Sequence, residues 1–221
     1  MRSSWSFDKI QIMQVVIFAK DNLRAELIGG HTEPGLMLEM VSSIQDFADY
    51  PSADAFILFS FQSTSEELKS LKKLKGLVIV DSVVNTLQEM DRSFIRINGW
   101  PGFMHSIIEA SCLKEELKEK AEVVFKQFNK RVEWLPDEPG FVSARVISMI
   151  INEAYFALEE KVSTKENIDQ AMKLGTAYPY GPFEWGQKIG LENIYRLLTH
   201  LSLENERYNP SALLATEALE T

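Results

Sequence analysis

Residues 55–80 read AFILFSFQSTSEELKSLKKLKGLVIV, and two periodicities follow one another along them. AFILFSF, at 55–61, is a short apolar run of the kind that a strand buried on both faces requires. From Ser65 to Lys75 the apolar residues Leu68, Leu71 and Leu74 recur at every third position among charges. That spacing predicts an amphipathic helix over 65–75, with Gly76 in the place of its C-cap. LVIV, at 77–80, then predicts a second strand. Two strands joined by a helix are expected to lie as parallel neighbours with a right-handed crossover.

The same alternation extends outward. Ile10–Ala19 and Leu36–Val41 read as strands upstream, and Phe94–Ile97 as one downstream. A helix is expected over Glu115–Lys130 and a short strand over Val132–Leu135. Residues 1–135 are therefore expected to form an open, mostly parallel α/β sheet.

The pattern changes after PDEPGF, 136–141, where every later segment has helical spacing; a domain boundary is placed there, with 136–221 all-α. The stretch 141–160 is apolar nearly all round, which suits a helix at a domain or subunit interface. Ser163 and Glu166 have capping-box spacing for a helix reaching Gly175 as its C-cap. Leu191, Ile194, Leu197, Leu198 and Leu201 stripe one face of a last long helix. Pro210 is expected to close the compact part, leaving Glu217 and Glu220 on a frayed acidic tail.

Composition narrows the function. In 221 residues, 45% hydrophobic content is enough for a real core, and a net charge of -9 argues against a nucleic-acid binder. The single cysteine, Cys112, forms no internal disulfide or metal cluster and reads as a buried thiol in a reducing, cytoplasmic protein. No apolar run is long enough to span a bilayer, and Asp8, Gln11 and Gln14 interrupt the N-terminus where a signal peptide would be apolar, so no membrane partner is expected.

Five unusual strings occur in fixed order: PGFVSARV (139–146), NEAYFALEE (152–160), IDQAMKLG (168–175), YPYGPFEWGQKIGLE (178–192) and RYNPSALL (207–214). Together they resemble the C-terminal domain of the NAD-dependent 3-hydroxyacyl-CoA dehydrogenases. Upstream, ADAFILF (53–59), SEELKSLKKLKGLVIVD (65–81) and FIRINGWPGF (94–103) match that family's order more weakly. The resemblance implies a reduced Rossmann-like sheet domain, its first strand, glycine loop, helix and second strand compressed into about fifty residues. It also implies acyl-CoA metabolism, NAD as the family's cofactor, and a homodimer built through the helical domain.

Carried over residue by residue, the family's reaction centre is altered. Asn98 falls where the family has its catalytic histidine, and an amide accepts no proton. Glu109, in IIEAS, matches the carboxylate that orients the histidine. Ala144 replaces a substrate-binding asparagine, while Arg145 beside it is kept. In DSVVNT, 81–86, Ser82, Asn85 or Thr86 remains as a polar contact to substrate, Asn85 foremost. The glycine loop that would cradle the NAD pyrophosphate reads AKDN, with Lys20, Asp21, Asn22 and Leu23 in its place and Gly29 and Gly30 too late to imitate it. No cofactor-binding residue and no metal ligand is therefore assigned.

Other features each have a structural and a functional reading. His105 lies four residues before Glu109, and on a helix the two would form a substitute dyad. Lys69, Lys72, Lys73 and Lys75 form either a solvated helix face or a contact for coenzyme A phosphates, and Lys20 and Arg24 either scattered surface charge or an anion contact. Trp100, Pro101, Gly102 and Phe103 either line a pocket near Glu109 or pack on the helical domain. Three functions compete: a dehydrogenase with an unorthodox site, an acyl-CoA-binding relative without redox chemistry, and a dimerisation or docking module. The replacements favour a family member of 3-hydroxyacyl-CoA metabolism and count against NAD-dependent activity of its own.

Overall fold

The structure, a computed structural model, describes residues 12–19, 21–29 and 32–220; Ile10, Gln11, Lys20 and Gly30 lie outside them. Seven strands, β1 (Met13–Phe18), β2 (Leu36–Met40), β3 (Ala55–Leu58), β4 (Leu77–Asp81), β5 (Ile95–Ile97), β6 (Ile107–Ser111) and β7 (Arg131–Trp134), form one sheet in the order β2-β1-β3-β4-β5-β6-β7. Every adjacent pair is parallel except β5 and β6, so β6 and β7 run against the rest.

The period of two along a strand divides the sheet's contacts between two layers. Val15, Ile17, Ala55 and Ile57 face a core shared with Leu23 and Leu27 of α1 (Asp21–Ile28) and Val124 and Phe125 of α3 (Glu115–Lys126). Val16, Phe56 and Leu58 face the other core, with Phe47 and Leu71 of α2 (Ser65–Leu71). Burial on both faces is why these strands are unbroken apolar runs.

Several local expectations are corrected. The helix expected over 65–75 ends at Leu71, its start fixed by a capping box in which Thr64 Oγ accepts from Glu67 N and the Glu67 carboxylate accepts from Thr64 N. Gly76 is not its cap. A Cβ there would lie 2.3 Å from the Ala53 carbonyl oxygen, so glycine permits the chain to re-enter the sheet. The helix expected to reach Lys130 stops at Lys126, because Asn129 turns at φ 55 and Lys130 folds inward.

The helical layer comprises α4 (Ser143–Glu159), α5 (Lys165–Thr176), α6 (Pro182–Ile189), α7 (Leu191–Ser202) and α8 (Ala212–Leu219). Its core joins Ile147, Ile151 and Tyr155 to Phe183, Trp185, Leu197, Leu198 and Leu214, with Val83 and Trp100 of the sheet half inserted into it. The N-cap of α5 is Thr164 and not Ser163, and the helix passes through Gly175 to end at Ala177, φ 55. Pro210 does not close the chain: Ser211 caps α8, and Glu217 accepts from Tyr155 Oη at 2.6 Å and Lys165 Nζ at 2.7 Å, so that end of the chain is held.

Arg96, fully buried on β5, joins the two layers. Its Nε lies 3.0 Å from Asp137 Oδ1, its Nη2 donates to Glu138 O at 2.7 Å, and its guanidinium stands 4.1 Å over the Phe141 ring. Burial lowers its pKa to about 10 against the pull of Asp137, so it stays charged near neutrality.

Candidate functional site

The chain leaves β1 for β2 on one side and continues through β3 on the other, and a crevice opens at the carboxyl ends of strands that diverge in this way. A cavity of about 380 Å³ lies there. Its sheet side is built by Ser60, Gln62 and Ser63 after β3, Asp81 to Asn85 at the end of β4, and Gly99 to Pro101 after β5. Lys188, Glu192 and Arg196, from the end of α6 and from α7, close the helical side.

Asn85 lines this cavity. Ser82 is turned inward, donating to Asn85 O at 2.9 Å, and Thr86 Oγ donates to Glu89. The residue that sequence reasoning passed over is Asp81, in the same DSVVNT string. Its Oδ1 accepts from Gly99 N at 3.0 Å, and burial pushes the carboxyl up to about 6 although the Gly99 and Ser60 amides pull it down. Gly99 is required here because a Cβ would stand 2.6 Å from Asp81 Cγ. Ser60 and Ser63 both hold φ 58, a conformation that costs a non-glycine residue energy and tends to cluster at functional sites.

Asn98 and Glu109 are brought together, outside the cavity lining. Asn98, 1% exposed, donates its Nδ2 to Glu109 Oε2 at 3.0 Å and to Ser143 Oγ at 2.9 Å, and its Oδ1 accepts from Trp100 N at 3.3 Å. Glu109 Oε1 accepts from Ser143 N at 3.0 Å and its Oε2 from Ser143 Oγ at 2.6 Å. The carboxylate thus caps the first turn of α4, where the helix dipole favours a negative charge. Ser143, the third member, sits in PGFVSARV as an unremarked serine, and only the docking of α4 onto β6 gives it a role.

The substitute dyad is not formed. Residues 107–111 are a strand, so the helical spacing between His105 and Glu109 is absent, and His105 is exposed while its carbonyl accepts from Lys130 Nζ at 2.8 Å. Arg145 does not reach the cavity: its Nη2 donates to Pro139 O at 2.7 Å, and it borders an apolar groove of about 550 Å³ with Val146, Met149, Ile150, Ile168 and Met172. Ala144 is fully buried in the helical core. Cys112 is half-buried, its thiol donating to Lys114 O, so the buried thiol expected is only partly enclosed.

Residues 100–103 pack on the helical domain, and two of them also reach a cavity whose lining does not include Glu109. Trp100 and Pro101 line the cavity, while Phe103 stacks on Trp185 at 5.2 Å and Gly102, φ 94, lies against the same ring. Glu26 of α1 holds this loop by accepting from Gly102 N at 2.8 Å and Met104 N at 2.9 Å. Of the lysines on α2 and beyond, Lys72 pairs with Asp91 at 3.1 Å.

A dinucleotide's pyrophosphate needs backbone amides laid bare by glycines at the start of α1. Only Ala19 and Lys20 separate β1 from α1 in the sequence, and neither they nor Asp21, the first residue of α1, is glycine. Asn22 lines the cavity, and Gly29, φ 59, lies at the opposite end of the helix. These residues do not fit NAD in the family's manner. Among the described residues no group of three His, Cys, Asp or Glu is placed to hold a metal ion, and no helix is long and apolar enough to cross a membrane.

Comparison with known proteins places this geometry. Residues 140–220 match the family described as 3-hydroxyacyl-CoA dehydrogenase, C-terminal domain. The chain is 34% identical over 168 residues to the 3-hydroxyadipyl-CoA dehydrogenase of Escherichia coli K12, an alignment covering 72% of this chain but only 35% of that protein. It is 29% identical over 197 residues to the 3-hydroxybutyryl-CoA dehydrogenase of Clostridioides difficile, covering 81% of this chain and 70% of that one. The fold superposes on the (S)-3-hydroxybutyryl-CoA dehydrogenase of Ralstonia eutropha with a TM-score of 0.72 at 19% identity, over 95% of this chain and 94% of that chain. Residues 140–220 thus carry the C-terminal domain of the 3-hydroxyacyl-CoA dehydrogenase family, and the rest of the chain is similar in sequence and fold to dehydrogenases of that family.

Proposed function

We propose that this chain binds an acyl-CoA-type ligand of fatty acid metabolism and does not carry out NAD-dependent hydride transfer. The observation that carries the reading is the Asn98–Glu109–Ser143 cluster. Hydroxyl oxidation needs a base, and Asn98 has no proton-accepting nitrogen, while the carboxylate that would orient a base is occupied by Ser143 and the start of α4. The glycine-free turn before α1 supports the cofactor half of the reading. Relatives named as dehydrogenases of 3-hydroxyadipyl-CoA and 3-hydroxybutyryl-CoA supply the ligand class. The test is NADH oxidation with acetoacetyl-CoA at high protein concentration, for the native chain and for Asn98→His. No turnover is expected from either, since a restored imidazole would still lack the glycine turn; sustained NADH oxidation by the native chain would refute the reading.

The division at 135/136 and self-association through the helical half belong to the same proposal. The groove along α4 and α5 is apolar and bordered by exposed Val146, the surface expected of a subunit contact. Sedimentation is expected to give a dimer at micromolar concentration and a monomer for Val146→Asp; a native monomer would contradict it.

A further inference from the structure

The cavity's charged groups are divided between its two walls, and the family resemblance accounts for neither set. On the helical wall stand two cations, Lys188 and Arg196, with Glu192 one turn before Arg196. Lys188 Nζ rests 5.1 Å over the Tyr180 ring, and Arg196 is exposed and forms no ion pair among the described residues. On the sheet wall stands one carboxyl, Asp81. The elements between them add no charge: the loop after β3 supplies Ser60, Gln62 and Ser63, the loop after β4 supplies Ser82 and Asn85, and the loop after β5 supplies Gly99 to Pro101. From α1 come Asn22 and Leu23, while Glu26 faces away to the amides of Gly102 and Met104.

We propose that this cavity binds a carboxylate, held by Arg196 and Lys188 from the helical wall and by the side chain of Asp81 from the sheet wall. Arg presents a planar fork that matches a carboxylate, and Lys adds a point charge. Asp81 takes part as the neutral acid, donating its proton to one oxygen of the ligand while its Oδ1 still accepts from Gly99 N. An ionised Asp81 would repel the ligand, so binding is linked to uptake of one proton. Because burial pushes this carboxyl up to about 6, the neutral form is within reach at mildly acidic pH. The inference rests on the acyl-CoA reading only in one respect: the carboxylate is either a free small dicarboxylate or the far end of a carboxyacyl thioester.

Calorimetric titrations with succinate, adipate, succinyl-CoA and acetoacetyl-CoA between about pH 5 and 8 separate these cases. The carboxylates are expected to bind, with affinity falling roughly tenfold per pH unit above 6, as linkage to a single proton requires. Asp81→Asn, a permanent neutral mimic, is expected to abolish that pH dependence and to bind more tightly than the native chain at pH about 8. Glu192→Gln is expected to leave the pH dependence in place, and Arg196→Ala, at an exposed position, to weaken binding at least tenfold. Tighter binding of succinyl-CoA than of succinate assigns the thioester source, and the reverse assigns the free acid. Absence of carboxylate binding at every pH, or an unchanged pH profile in Asp81→Asn, would overturn the proposal. Acetoacetyl-CoA binding in that event would leave the acyl-CoA reading standing alone.

Discussion

Two aspartates, one in the helical layer and one in the crevice, are each pressed against a glycine. In the helical layer a Cβ on Gly181 would lie 2.3 Å from Asp169 Oδ1, and in the crevice a Cβ on Gly99 would lie 2.6 Å from Asp81 Cγ. Asp169, 8% exposed, accepts from Phe183 N at 2.8 Å and Glu184 N at 3.2 Å, the first amides of α6, where the helix dipole also favours its charge. Asp81 accepts from Gly99 N and the Ser60 amide with no helix behind them, and burial lifts its carboxyl to about 6. The same contact therefore produces a structural cap in one place and a titratable group facing a cavity in the other. Two amides reach each carboxylate, and the difference lies in what stands behind them, the start of α6 at Asp169 and loops after β3 and β5 at Asp81.

The largest effect is expected where the two regions are joined. Arg96→Met leaves Asp137, whose side chain is 3% exposed, buried without its cation and also frees the Glu138 carbonyl. A loss of about 3–5 kcal/mol in denaturant unfolding is expected; a loss below about 1 kcal/mol would remove Arg96 as the joint. The glycines come next. Gly181→Ala and Gly99→Ala should each cost roughly 1–3 kcal/mol from overpacking, the latter also displacing Asp81 and deforming the cavity.

The aspartates themselves give the smallest and most telling pair. Asp169→Asn should destabilise the fold by about 1 kcal/mol, because one of the paired amides loses a charged acceptor. Asp81→Asn should do the reverse at pH about 8. A carboxyl raised from 3.8 to about 6 by folding contributes stability below its unfolded value, and that contribution is lost as pH rises through 6. Removing the ionised form should then stabilise the protein by about 1–2 kcal/mol at pH 8 and leave it unchanged near pH 4, after allowing for partial solvent access. Thermal melts of both variants at the two pH values check the opposite signs.

How far the chemistry could be read from residues alone follows from the same contrast. The strands at 55–58 and 77–80 and the helix from 143 to 159 show in the sequence because burial on two faces demands long apolar runs. Strand β6 does not: Glu109 sits in its middle, Ile107 is exposed, and its antiparallel pairing with β5 has no local signature. The end of α8 escaped notice because ALLATEAL is held by Tyr155 and Lys165, residues more than fifty positions away. At the site, the strings that carry the resemblance single out Asn98, Glu109 and Asn85, but not their surroundings. Whether Glu109 orients a base or caps α4 depends on Ser143, and whether Arg145 meets substrate depends on which side of α4 it leaves. Asp81, a lone acid ending an apolar strand, and Arg96, a cation within IRI, were both visible as breaks in pattern whose meaning only the tertiary contacts supply.

The most direct measurement is a pair of titrations on the purified native chain, one with NADH and one with acetoacetyl-CoA, each followed by calorimetry. Saturable binding of acetoacetyl-CoA with no heat from NADH is expected of a protein that kept the acyl-CoA cleft and lost the dinucleotide turn. Saturable NADH binding, followed by its oxidation when acetoacetyl-CoA is added, would contradict it.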